Sequence, residues 1–210
     1  EEETIKAIRT IGKPNNNKPT ITYIMNSTSP FRTYPIDLAV TTIKMLLEKF
    51  NVIAVGTNLS MWQQDHEFNK IYYKEIMRFD EERFTDLVDM VDLRTLLAVM
   101  NYSDIIISPD TGTLHMAAAL KKKCISLFGN IDPLLRTSYY KKCINLYKNI
   151  DCAKNCGDRG RMMKDRVLLC PDYDDIAKHH GKIGAKCMRA ITPQDIFNAV
   201  ENALISKEVK

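Results

Sequence analysis

Asp104-Ile105-Ile106-Ile107-Ser108-Pro109-Asp110-Thr111-Gly112-Thr113-Leu114-His115-Met116-Ala117-Ala118-Ala119-Leu120 carries the architecture of this chain. Its first part is an unbroken β-branched apolar run, the signature of a parallel strand buried on both faces. Small and turn-forming residues follow, and a helix is predicted from Thr113 to Lys121. Ligands of doubly wound sheets bind at such a carboxyl edge. Thr111 suits the helix N-cap, Gly112 lets a ligand approach the backbone, and the free first-turn N–H groups face an anion. His115, in the first turn, can donate to a phosphate or sugar oxygen. The Ala117–Ala119 run lets the helix pack closely on the sheet. The same residues also suit a capped strand-to-helix turn with a buried, hydrogen-bonded histidine. On the residues alone, both readings stand.

Working outward, Thr20–Met25 and Asn51–Val55 read as strands, with Gly56 ending the second. Between them Pro35 opens a helix with Ile36, Ala39, Val40, Ile43, Leu47 and Phe50 on one face. A short strand is predicted within Phe84–Met90. Asp92 then caps a helix whose apolar stripe is Leu93, Leu96, Leu97 and Met100. Lys123–Phe128 is a further strand, and Lys121-Lys122-Lys123 reads as a solvated helix end. The alternation predicts an α/β fold, a Rossmann-like parallel sheet with helices on both faces. Lys13–Pro19 is linker chemistry, which sets residues 1–19 apart as an N-terminal helix and linker before a Rossmann-like domain over 20–150. From 151 to 190 cysteines, glycines and charges replace periodic apolar residues. Thr192-Pro193-Gln194-Asp195 then starts a C-terminal helix over 191–210 that packs back on the domain through Ile196, Ala199, Val200, Ala203 and Leu204.

Composition narrows the function classes. The 210 residues are 45% hydrophobic and 27% charged, the mix of a globular chain rather than a disordered one. Apolar runs such as Met116–Leu120 fall far short of the ~20 residues of a membrane span. The opening Glu1-Glu2-Glu3 has neither the basic stretch nor the apolar run of an export leader, so the expected location is cytoplasmic. A net charge of +4 without a basic arm argues against nucleic acid and suits a local site for a small anion.

Six cysteines in such a chain read as thiols or metal ligands rather than disulfides. Four of them, Cys152, Cys156, Cys170 and Cys187, fall in or at the end of the segment that cannot fill a core alone. A tetrahedral thiolate site for zinc or iron would fold it. Four unligated thiols are the alternative. Cys124 and Cys143 read as ordinary buried thiols.

The run Asp110-Thr111-Gly112-Thr113-Leu114-His115-Met116-Ala117-Ala118-Ala119-Leu120, with Lys122-Lys123-Cys124-Ile125-Ser126-Leu127-Phe128-Gly129 after it, closely resembles the signature of glycosyltransferase family nine, the ADP-heptose lipopolysaccharide heptosyltransferases and their relatives. Asn26-Ser27-Thr28-Ser29-Pro30-Phe31-Arg32-Thr33-Tyr34-Pro35 resembles the loop that these enzymes place over the donor diphosphate. Arg32 and Tyr34-Pro35 stand where the family commonly has Lys and Trp-Pro, and Arg keeps the charge with a bidentate fork. The resemblance runs from about residue 20 to 205. It implies the C-terminal, donor-binding half of the two-lobed GT-B fold.

Carried over, Ser27 and Thr28 offer hydroxyls or amides to the phosphates, and Arg32 neutralises them. Asp110 takes sugar hydroxyls or orders the loop. Thr111 and Gly112 supply backbone donors, His115 stabilises the departing diphosphate, and Val91 packs the base. Glu67 is the candidate for the ribose-binding acid. The implied reaction is inverting transfer of a heptose or similar sugar from a nucleoside-diphosphate sugar, ADP-heptose favoured, to a glycan or protein hydroxyl. No catalytic metal is expected, and the general base comes from an N-terminal lobe. The cysteine segment, closed by Cys187-Met188-Arg189-Ala190-Ile191-Thr192-Pro193, is similar to the four-cysteine iron finger of the protein-modifying, autotransporter branch, and iron and zinc both remain open. A homo-oligomer is among the expected assemblies.

Two other classes compete. One is a non-catalytic nucleotide-sugar-binding or assembly module lacking the acceptor lobe. The other is a metal-stabilised nucleic-acid binder, for which Arg159, Arg161, Lys164 and Arg166 are the available basic cluster. That cluster is interleaved with methionines rather than with the aromatics that stack bases, which ranks it last.

Overall fold

A computed structural model describes residues 17–27, 31–57, 79, 82–150 and 185–205. Thr28, Glu67, Cys152, Cys156, Cys170 and the basic cluster at 159–166 lie outside the described residues, as do the helix expected within 1–16 and the tail from 206. The chain runs β1 (Thr20–Ile24), α1 (Ile36–Leu47), β2 (Asn51–Val55), β3 (Phe84–Asp86), α2 (Leu93–Tyr102), β4 (Ile105–Pro109), α3 (Gly112–Ala119) and β5 (Lys123–Phe128). It continues through α4 (Leu134–Thr137), β6 (Cys143–Tyr147), α5 (Lys186–Arg189) and α6 (Pro193–Ile205).

The strands form one sheet, ordered β3-β2-β1-β4-β5-β6, and every pairing is parallel. Strand order therefore reverses between β1 and β4. Parallel crossovers are right-handed, so connections that move outward in opposite directions place their helices on opposite faces. The core divides accordingly. Ile21, Tyr23, Val52, Ala54, Ile105, Ile107, Ile125 and Leu127 face α1, α5 and α6. Ile53, Val55, Ile106, Cys124 and Phe128 face α2 and α3. Neighbouring positions along each strand supply both cores, which explains the unbroken apolar runs.

β6 and α2 depart from the expectation, and the short helices α4 and α5 are additions to it. β6 adds a sixth strand that the sequence pattern does not reveal; it lies at the sheet edge and is half-buried throughout except for the exposed Ile144. Helix α2 is capped by Asp92, whose Oδ1 accepts from Thr95 N at 2.7 Å, but it buries Thr95, Ala98, Val99 and Met100. Leu93 is 58% exposed. Thr95, Ala98 and Val99 bring this helix onto the sheet together with Met100, the fully buried member of the expected stripe, while Leu96 packs part-buried against the same core. The lysine run also differs. Lys121 N and Lys122 N bond back to Ala118 O and Ala117 O, a Schellman closure with Lys121 at φ 57°, and Lys123 already belongs to β5.

Helix α6 packs on α1, with the Phe50 and Phe197 rings 6.1 Å apart. Its start is a reciprocal cap. Asp195 Oδ2 accepts from Thr192 N at 2.8 Å and Thr192 Oγ1 accepts from Asp195 N at 3.1 Å. Burial alone would raise the Asp195 pKa, but the bonds from Thr192 and Lys148 outweigh it and hold the carboxyl below its ordinary range. A depressed carboxylate stabilises the fold above its unfolded value and loses that contribution as pH falls through the folded one. Asp195→Asn is therefore expected to cost about 1 kcal/mol near neutrality. Its melting temperature should begin to converge on the parent's as pH falls below about 4 and meet it only below the depressed folded value. A gap that persists in acid would refute the assignment.

Candidate functional site

The site forms where strand order reverses, at the carboxyl ends of β1 and β4. Adjacent strands leaving in opposite directions open a crevice there. The first wall is the loop after β1. Asn26 Nδ2 donates to Thr57 O, and a Cβ on Gly56 would lie only 2.9 Å from Asn26 Oδ1, so glycine permits the two strand ends to approach. Ser27 N donates to Thr33 Oγ1 at 3.1 Å, which ties Thr33 to the end of β1. The Ser27 amide is thus engaged within the loop rather than presented to a phosphate. Tyr34, buried, donates from its hydroxyl to Ile191 O at 2.8 Å and pins the loop to the segment before α6.

Beside Thr33, Arg32 reaches Asp110 at the end of β4. Its Nη1 donates to Asp110 O at 3.0 Å and lies 3.6 Å from Asp110 Oδ2. At that distance the two form an ion pair but not a hydrogen bond. Asp110 Oδ2 is sealed from solvent without a hydrogen-bond partner. Of the two roles expected for Asp110, this geometry supplies the ordering one: a buried carboxylate that holds a quarter-exposed guanidinium over the crevice.

The second wall is the start of α3. Thr111 occupies the N-cap in extended conformation, yet its side chain makes no capping bond. Ser108 Oγ and Thr113 Oγ1 pair instead at 2.9 Å. A Cβ on Gly112 would meet nothing within 4 Å. The protein's own packing therefore does not require glycine there, and the space in front of the first turn is open. His115 leans away from the sheet, its Nδ1 2.5 Å from Tyr140 Oη, with the rings edge to face. Tyr140 thus fixes the imidazole and leaves Nε2 as its other polar atom. Nothing in the sequence marks Tyr140, which lies on a loop 25 positions away. Val91 sits at the same edge, half-buried, between Met90, 67% exposed, and the cap Asp92.

The structure therefore brings Ser27, Arg32, Asp110, Thr111 and Gly112 to one crevice. It sets His115 on the flank of α3 and Val91 beyond β3. The fourth proposed thiol, Cys187, is buried on α5 against the end of β5, where a Cβ on Gly129 would approach its Sγ to 2.8 Å. Among the described residues no group of three or more His, Cys, Asp or Glu is placed to hold a metal. Among them, too, no helix is long and apolar enough to cross a membrane.

The sequence profile of glycosyltransferase family 9 (heptosyltransferase) matches residues 6–165. No curated protein matches. Among solved structures, ADP-heptose LPS heptosyltransferase II of E. coli superposes with a TM-score of 0.67 at 17% identity, covering 98% of this chain and 52% of that one. A family 9 glycosyl transferase from Veillonella parvula gives 0.68 at 15%, covering 99% and 53%. The dodecameric iron-containing heptosyltransferase TibC, in complex with ADP-D-beta-D-heptose, gives 0.59 at 14%, covering 90% and 45%. At these identities the likeness is one of fold. The chain spans about half the length of these structures.

Proposed function

Since the chain belongs to glycosyltransferase family 9, we propose that it is the donor-binding half of a sugar transferase that takes a nucleoside-diphosphate sugar, ADP-heptose by preference. The observation that carries this is the Arg32–Asp110 bridge across the strand-order reversal, beside the open first turn of α3. As the bond between the anomeric carbon and the diphosphate oxygen breaks, negative charge gathers on the leaving group. A preorganised guanidinium and helix N–H groups aimed at that charge stabilise it in the transition state. His115 Nε2 adds a donor whose direction Tyr140 sets. An acceptor hydroxyl of a glycan or protein attacks from the opposite face with inversion, its proton taken by a base on the other lobe. In this reading Val91 packs against the nucleotide base. The ADP-heptose bound to TibC supports adenine.

Residues 20–150 form the donor domain in this reading, and 191–210 brace it. The segment 151–190 is a thiolate finger for zinc or iron. Cys187 fits as one ligand, being a buried thiol at the end of β5, and the iron named for TibC favours iron.

The test is thermal stability of the full chain with ADP-heptose, ADP, UDP-sugars and GDP-sugars at matched concentrations. A ligand at a hundred times its Kd adds about 2.7 kcal/mol. Stabilisation by ADP-type ligands alone is the expected result. Gly112→Ala should leave the unliganded melting temperature unchanged or higher, because Ala is the better helix former and its methyl meets nothing, while removing most of the ligand shift. Equal shifts in the parent and Gly112→Ala would overturn the site, and silence across the panel would overturn the donor reading.

A further inference from the structure

Cys124 and Cys143, ordinary buried thiols when read singly, are register partners on β5 and β6. Parallel strands lie about 4.8 Å apart, inside the Cα separation that a disulfide spans. Both cysteines are reduced, and both line a cavity of about 620 Å³ between α3 and the loop before β6. Lys121, Lys122, Lys141 and Lys142 line the same cavity. Lys122 Nζ donates to Asn101 O at 3.0 Å. Burial and then the neighbouring Lys142 depress its pKa against the pull of Asp104. Like charges gathered around one opening attract an anion.

The two thiols are not equivalent. Cys124 is 1% exposed, whereas Cys143 is only half-buried, with its Sγ 3.5 Å from Ser126 Oγ and 3.4 Å from Asn145 Oδ1. The hydrogen bond between the thiols raises the Cys124 pKa, as burial also does. The same bond lowers that of Cys143, against burial and with help from Ser126. Cys143 is thus the accessible sulfur, and a second sulfur lies behind it.

We propose that Cys143 and Cys124 form a dithiol exchange site for small anionic disulfides, with Cys143 attacking and Cys124 resolving. The Cys143 thiolate attacks one sulfur of the disulfide, whose S–S bond breaks, and one thiolate leaves with the electron pair and takes up a proton. The Cys124 sulfur, surrendering its proton, then attacks Cys143 Sγ and expels the second thiol. The chain loses two electrons and two protons, and the disulfide becomes two thiols. The β5–β6 pair is locked by a covalent bond.

The experiment treats the reduced full chain with glutathione disulfide, alkylates the remaining thiols and maps the peptides by mass spectrometry. A Cys124–Cys143 linkage is expected in the parent, and a persistent glutathione adduct on Cys143 in Cys124→Ser. Lys141→Glu with Lys142→Glu should slow the reaction with glutathione disulfide about tenfold. The same pair should leave the reaction with neutral hydroxyethyl disulfide unchanged. Glutathione accumulating on other cysteines while this pair stays reduced would overturn the proposal. So would equal rates for the two disulfides in both parent and charge-reversed chain. The parent mapping stands even if a variant fails to fold.

Discussion

Arg32→Ala is expected to reduce ADP binding ten- to a hundredfold, the loss of about 1.5–3 kcal/mol that follows removal of a hydrogen bond to a charged group. From sequence alone, Arg32 and Asp110 are two independent ligand contacts, and removing either should leave the fold intact. The structure couples them. Asp110 Oδ2 is sealed from solvent, and among the described residues the cation beside it is Arg32. Truncating Arg32 strands a buried carboxylate, a change that costs 3–5 kcal/mol in a fully buried pair. Because Arg32 is a quarter exposed, about 1–3 kcal/mol is the better expectation. Arg32→Ala in an Asp110→Asn background should therefore destabilise much less than in the parent, a coupling that a double-mutant cycle reads directly. Arg32→Lys should hold the fold and recover only part of the binding, since an ammonium keeps the charge without the fork. Additive stability effects would mean that the two side chains do not act as a unit.

Gly129→Val is expected to destabilise the chain by about 1–3 kcal/mol, a fall of several degrees at this length. Gly129 follows β5 directly. A Cβ there would lie 2.8 Å from Cys187 Sγ, 2.9 Å from Met188 Sδ and 3.1 Å from Met188 Cγ. Met188 is fully buried, so its thioether has little room to yield, and α5 must lift from the sheet edge. Lifting α5 moves Cys187. Metal content of the purified chain, measured beside the melt, should therefore fall in Gly129→Val if the four cysteines bind zinc or iron. Chelation should lower the parent's melting temperature more than the variant's. An unchanged melting temperature in Gly129→Val would show that α5 does not dock there.

Much of the fold is legible because burial leaves a mark in composition. Strands covered on both faces have no polar side to show, so Val52–Val55, Ile105–Ile107 and most of Cys124–Phe128 read as apolar stretches without alternation. The α1 stripe is equally plain, because one face meets the sheet and the other water. Helix α2 misleads for a definite reason: apolar residues lie on two of its sides, and periodicity does not say which side the sheet takes. Edge strand β6 pairs on one side only and is half-exposed, so its mixed residues resemble a loop among lysines.

The layered α/β class, the strand-to-helix turn at Asp110–Gly112 and the family motif around it are legible residue by residue, because those features live in short contiguous stretches where propensity and sterics act. Tertiary structure alone decided the partners: Arg32 with Asp110, 78 residues apart, His115 with Tyr140, and Cys124 beside Cys143. Strand order and register bring these residues together. They emerge from the closure of the whole sheet, and no local window of the chain contains them.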